Sequence, residues 1–414
     1  MQRPNVEIMS PVGSFESLMA AIQGGAGSVY FGLGSMNMRS RSSMNFSPAD
    51  LQEIVNICNR HQLKTYLTLN TVIYDGELEE MRHFVDVAAQ AGVTAIIASD
   101  PAVLQYARVR EMEIHISTQC NISNIEAVKW YARFADVMVL ARELSLGQVK
   151  HIISEIRKQS VTGPSGELVK IEVFVHGALC MAVSGKCYLS LHGMNSSANR
   201  GACLQLCRRS YEVTDKETGL KLEVDNQYIM SPKDLNTISI LDQILAAGVG
   251  VLKIEGRGRS PEYVKTVTRV YREAVESCFD GSFSHQKTEK WNNELKSVYN
   301  RGFWEGYYLD SPTGEWSRVY GSQATTRKRY LGKVTNFFPK ISVAEVKLET
   351  GALQSGARYT INGPTTGVVE GQIEEIRLEY DAVAEAVKGQ VCSFRVNETV
   401  RRGDKLYLVE ENPI

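Results

Sequence analysis

From residue 6 to about residue 280 the sequence alternates between short apolar runs and longer amphipathic ones. The apolar runs are VEIM (6–9), SVYFG (28–32), KTYLTLN (64–70), TAIIAS (94–99), EIHIS (113–117), DVMVLA (136–141), IEVFV (171–175) and GVLKIE (250–255). Short, β-branched and nearly continuous in apolar character, they read as strands buried on both faces. Between them lie SFESLMAAIQGG, SPADLQEIVNICNRHQ, GELEEMRHFVDVAAQAG and SNIEAVKWYARFA, which carry the helical period. Ser47 and Ser123 read as N-caps, and glycines mark helix stops. Strands that alternate with helices imply a parallel sheet. Eight such units over this length predict a (β/α)8, TIM-like barrel, with an open doubly wound sheet as the alternative.

The texture changes near residue 285. Residues 1–285 are assigned to the barrel, 286–329 to a helical and linker segment, and 330–414 to a small all-β barrel domain. The last region runs through YLGKVTNFF, ISVAEVKLET, RYTING, GVVEGQIEEIRL, QVCSFRV and DKLYLV with Gly-rich turns between. The basic stretch GSQATTRKRY (321–330) reads as the linker. A formal net charge of −1 over 414 residues argues against broad, non-specific nucleic-acid binding, but not against a local basic face. The first residues hold no apolar run of signal-peptide length, and no run reaches the roughly 18 apolar residues of a membrane span. The expectation is a cytoplasmic protein with no membrane partner. In a reducing compartment its eight cysteines are free thiols or metal ligands rather than disulfides.

Strands seven and eight are separated by more than seventy residues. A loop that long in a compact domain is usually functional, and loops after barrel strands lie on the face that carries chemistry. This one holds Cys180, Cys187, Cys203 and Cys207, with six, fifteen and three residues between them. Four thiolates can bind zinc or an iron–sulfur cluster. Only the last pair has the tight spacing of a structural zinc knuckle, so a cluster suits the set better. Burial as inert core thiols is the bland alternative. Cys180 as a nucleophile with His176 as its base is another. Cys58, Cys278 and Cys392 read as structural; Cys120, ending the fifth strand, is placed to face the site.

A second constellation sits at the strand ends. Arg39 and Arg41 follow strand two, and Arg142 follows strand six. Lys253, Glu255, Arg257 and Arg259 lie in and after strand eight. Asn70, Gln119 and His176 end other strands. In a barrel these converge on one pocket. His176, Gln119 and Glu255 are the candidates for catalysis; Arg39, Arg41, Asn70, Arg142, Lys253, Arg257 and Arg259 are those for substrate binding. Guanidinium forks pair bidentately with carboxylates or phosphates, and the clustered positives offer a local patch for tRNA despite the neutral total charge. Lys253 and Glu255 share a strand face and are expected to pair with each other. The Gly-rich GRGRSPEY can hold an anion at a helix N-terminus, but is too loose for a dinucleotide fingerprint.

The stretch EVFVHGALCMAVSGKCYLS resembles the signature of the collagenase-like peptidase family, through Glu172, Phe174, Gly177, Cys180, Gly185, Cys187 and Ser190. SPVGSFESLMAAIQGGAGSVYFG, STQCN, ARELS, KIEGRGRSPEYV and NRGFWEGYY fit the same family, over nearly the whole chain. Within it, the members that support tRNA hydroxylation are the most similar. The resemblance implies a 4Fe–4S cluster on Cys180, Cys187, Cys203 and Cys207. It also implies a small dicarboxylate, prephenate, as co-substrate and 5-hydroxyuridine at the tRNA wobble position as product. Two further readings follow from it: a peptidase, or a non-catalytic cluster-bearing subunit. A homo-oligomer, or a hetero-oligomer with a family paralogue, is the implied assembly. Cys120 departs from the family, where a small residue is usual.

Overall fold

The computed structural model describes residues 6–40, 45–222, 228–311 and 314–412. All eight apolar runs are strands: β1 (Glu7–Pro11), β2 (Ser28–Phe31), β3 (Lys64–Leu69), β4 (Ala95–Ala98), β5 (Glu113–Ile116), β6 (Val137–Val139), β7 (Lys170–Ala178) and β8 (Val251–Ile254). Each pairs in parallel with the next. The ring closes because Leu252 of β8 is in register with both Ile8 of β1 and Val173 of β7. The chain is therefore a closed (β/α)8 barrel and not an open sheet.

The outer helices are α1 (Phe15–Gln23), α2 (Leu51–Arg60), α3 (Leu78–Ala91), α4 (Pro101–Val109), α5 (Ile125–Tyr131), α6 (Leu146–Lys158), α7 (Leu241–Ala246) and α8 (Pro261–Asp280). α8 shows why these segments are helical. Ser260 caps it, Pro261 occupies its first position, and a stripe including Val264, Val267, Val270, Tyr271 and Ala274 is buried against the barrel. Ser47 caps as expected, in a capping box with Asp50. At α5 the cap is Asn124 rather than Ser123: the Asn124 side chain accepts from the Ala127 amide.

The long excursion after β7 does not hang free. It contains the short helix Leu189–Met194 and returns as a strand, Asp234–Asn236, antiparallel to the end of β7 (Leu235 opposite Gly177). Phe303–Trp304, beyond a further helix α9 (His285–Ser297), adds to that edge. The loop is thus sewn to the barrel rim at both ends.

The C-terminal region is an antiparallel sheet of eight strands. Its order is Gly367–Gln372, Arg358–Gly363, Lys405–Glu411, Thr326–Phe338, Val343–Leu348, Val391–Arg395, Ile376–Leu378, Asp381–Val383. Leu331, Val346, Ile361, Ile376, Phe394 and Leu406 belong to its own core. The basic run read as linker, Thr326–Arg329, opens the longest strand and pairs with Leu408–Glu411. Among the described residues no helix is long and apolar enough to cross a membrane.

Candidate functional site

The C-terminal ends of the barrel strands surround a cavity of about 520 Å³. Its floor is charged. Lys253 of β8 is buried and donates to Glu172 of β7 at 2.6 Å. Glu255, just past the end of β8, is held instead by Arg39, whose Nε and Nη2 lie 3.2 and 2.8 Å from Oε1. The expected Lys253–Glu255 pair does not form, since the chain leaves the strand at Ile254. Burial pushes the Glu255 carboxyl up, but Arg39, Arg142 and Arg257 outweigh it and hold it at about 2. Arg257 reaches down from the loop after β8, and its Nη1 donates to Asn37 and Thr68 at 3.0 and 2.9 Å. Arg142 lies over the Phe174 ring at 3.9 Å and donates through Nη1 to the Ala178 carbonyl, while its buried Nε has no partner.

One wall of the same cavity carries all four clustered cysteines, Cys180, Cys187, Cys203 and Cys207. Backbone geometry explains how. Gly201 takes a left-handed conformation (φ 77°) and fits so close to Ser40 and Asn37 that a Cβ would collide with both. That contact docks the cysteine loop onto the β2 loop. Gln205 is also left-handed (φ 51°) and turns the chain between Cys203 and Cys207. Burial raises the Cys207 thiol, as do the neighbouring Cys180, Cys203 and Cys187; Arg208 opposes them. Among the described residues no three thiol, imidazole or carboxylate side chains converge on a single ion. The thiols are spread along the cavity lining, and four thiolates are the donor set of an iron–sulfur cluster.

A side pocket of about 340 Å³ continues from this wall. It adds Arg259, stacked on Tyr299 at 3.6 Å, together with Arg208 and Arg301. Arg208 donates to the carbonyls of Leu179 and Pro232, and Arg301 reaches Asp234 at 3.4 Å. Sequence reasoning missed Arg208 and Arg301. Both were visible beside motifs already singled out, Arg208 next to Cys207 and Arg301 in NRGFWEGYY.

Asn70 and Gln119 line the main cavity, where the Ser117 hydroxyl donates to Gln119 and Asn70 bonds Ser117. His176 does not reach it. The ring points away from the barrel axis into a sealed cluster of Tyr263, Tyr271 and Phe303. Burial, with Arg259 nearby, lowers it to about 3, and its Nε2 has no partner. It lies off the cavity and is not placed as a base for Cys180: a register shift between β7 and β8 at His176 breaks the alternation that would have kept it on the inward face of Glu172 and Phe174. Cys120 also faces away, with Sγ 3.7 Å from the Ser99 carbonyl. Arg41 lies outside the described residues.

The family model "Peptidase family U32" matches residues 13–318. The chain belongs to peptidase family U32. It is 55% identical over 401 residues, 97% of each chain, to a collagenase of Porphyromonas gingivalis. Over 408 residues it is 30% identical to tRNA hydroxylation protein P1 of Bacillus subtilis, covering 95% of this chain and 92% of that one. Over 276 residues it is 34% identical to the 23S rRNA 5-hydroxycytidine C2501 synthase of Escherichia coli, covering 66% and 40%. U32 relatives named for RNA hydroxylation and for collagen cleavage therefore share this chain's sequence, and both names describe enzymes.

Proposed function

We propose that this U32 protein is an RNA hydroxylation enzyme that converts the wobble uridine of a tRNA to 5-hydroxyuridine, with prephenate as co-substrate and a 4Fe–4S cluster on Cys180, Cys187, Cys203 and Cys207. The observation that carries the reading is the union of a four-thiol wall and an arginine floor in one cavity at the barrel's functional face. The full-length match to a tRNA hydroxylation protein supports it. Arg142, with its unpaired Nε, receives one carboxylate of the co-substrate, and Arg39 and Arg257 present further N–H groups to the other. Lys253 and Glu255 face the reacting ring from below, and Phe174 excludes water there. The uridine enters unstacked from an anticodon loop, where extraction costs least. When bound, the cluster supplies redox or Lewis-acid chemistry at the wall.

Anaerobic purification with iron and sulfide quantitation tests the cofactor. About four irons per chain are expected, lost when any one of the four cysteines becomes alanine. Colourless, iron-free protein, or protein with one zinc, overturns the assignment. Nucleoside analysis of tRNA from a strain lacking the gene tests the reaction: 5-hydroxyuridine should disappear and return on complementation.

The 55% identity to a protein named collagenase favours a second reading, a peptidase. That reading requires peptide cleavage that is indifferent to iron and abolished by Cys180→Ala alone. Among the described residues no thiol is hydrogen-bonded to an imidazole; His192, which lines the same cavity as Cys180, is the imidazole this reading would have to use as base.

A further inference from the structure

The inside of a (β/α)8 barrel is ordinarily filled by branched apolar side chains. Part of this one is: Met9, Ala95, Ile97, Val137 and Val251 pack there with Tyr30 and Tyr66. Against them runs a line of ionisable groups from one face of the barrel to the other. At the lower mouth Glu113, whose side chain is 35% exposed, lies 3.4 Å from Nε2 of His115. Nδ1 of His115 lies 3.3 Å from Oε2 of Glu172, and Oε1 of Glu172 accepts from Lys253 at 2.6 Å. Lys253 lines the reaction cavity above. The lower end opens into a pocket of about 410 Å³ lined by Glu7, Lys64, Tyr66, Glu113 and Lys170.

Buried ion pairs are often no more stabilising than apolar side chains of similar volume. Stability alone therefore does not explain a charged line joining the two faces. We propose that Glu113, His115, Glu172 and Lys253 form a store that lends one proton to the reaction cavity and takes it back. The inference rests on the reading of that cavity as a reaction site. Lys253 gives a proton from its ammonium to a base in the cavity, leaving an amine. The Nδ1–H bond of His115 breaks and the proton moves to Oε2 of Glu172; the carboxyl rotates and hands it to the amine. His115 is left neutral, with its Nε2–H directed at Glu113. A proton later released in the cavity returns through the same bonds in reverse, so the line ends each turnover as it began. Nothing in the line is oxidised or reduced.

The charged groups facing His115 are few. Glu113 is on its own strand, and Glu172 comes from β7 with Lys253 of β8 behind it. Tyr66 of β3 stacks 4.4 Å away and donates to Glu7 of β1 at 2.7 Å. β4 and β6 present Ile97 and Val137, and Lys64 and Lys170 act on Glu113. Burial pushes the imidazole down, but Glu113 and Glu172 outweigh it, so the net shift is upward, toward the protonated ring that two carboxylate neighbours favour.

Histidine-selective NMR on the full chain tests the store, with His115→Gln assigning the resonance. The expected result is a His115 imidazolium that persists above its ordinary value of 6.5. Glu113→Gln, at the half-exposed end, should lower the midpoint by about one unit or more while leaving the fold intact. A His115 that is neutral at pH 7 in the wild type overturns the proposal. In turnover, His115→Gln should slow RNA hydroxylation about 10²-fold and remove one limb of the pH profile, with affinity for malonate, a probe dianion, unchanged. An unaltered pH profile also overturns it. Wild-type protein that hydroxylates no RNA would defeat the functional reading, while the NMR arm would still decide the store.

Discussion

Glu255 is a carboxylate buried among guanidiniums, and that company fixes its charge. Its folded value of about 2 lies below the ordinary 4.5. A depressed carboxylate contributes stability that is present above the unfolded value and is lost as pH falls through the folded one. Glu255→Gln should therefore be less stable than wild type at neutral pH, on the order of 3 kcal/mol, because the half-buried Arg39 loses the Glu255 carboxylate. The gap should close as pH falls from 4.5 towards 2. Urea melts of both proteins across that range check this, and a gap independent of pH would show that Glu255 is not the titrating group. At this scale the sequence was partly legible. The cysteine set and the cationic strand ends could be picked out because polar residues are conspicuous in and after apolar runs. Direction was not: His176, read as facing the pocket, faces Tyr263 and Tyr271, while Glu172, His115 and Lys253 point inward. Ionisable residues inside the runs EIHIS, IEVFV and GVLKIE were the available signal for that inner line.

At the scale of elements, all eight strands could be read because each is a bounded apolar run, whereas contacts between distant segments left no local trace. β7 runs on to Ala178 because Asp234–Asn236 pairs with its end, and nothing near residue 178 announces a partner more than fifty residues away. Gly177 is the position where this matters most. Its φ of +103° is disfavoured for any side chain, and a Cβ would run into the Glu255 carbonyl and the Tyr263 hydroxyl. Gly177→Ala is expected to cost about 1–3 kcal/mol in strain alone, with the collision added. It should also displace Cys180, three residues on, so the iron of the proposed cluster should fall along with the urea midpoint. A stable variant with full iron would mean that the loop finds its position without the tight approach of β7 to β8.

At the scale of the whole molecule, the barrel and the C-terminal sheet have separate apolar cores, and the seam between them is built from a few specific bonds. Gln23, at the end of α1, donates to the Thr366 carbonyl at 3.0 Å and accepts from the Val368 amide at 2.9 Å. Val368 itself packs into the barrel's core. Glu262 of α8 accepts from Lys328 at 2.6 Å and from Asn362 at 2.5 Å, and Lys265 donates to the Val368 carbonyl at 2.8 Å. None of this was legible in sequence, because Gln23, Glu262 and Lys265 read as ordinary polar positions on helices. The barrel and the C-terminal sheet each bury an apolar core of their own, so their cooperativity depends on this seam. Gln23→Ala removes both ends of one clasp and leaves a buried carbonyl and amide short of partners, at a cost of about 1–3 kcal/mol. Calorimetry should then resolve two transitions, the barrel unfolding apart from the sheet, where a single one is expected for the wild type. A single, unshifted transition in the variant would mean that apolar contact through Val368 couples the two cores without the hydrogen bonds.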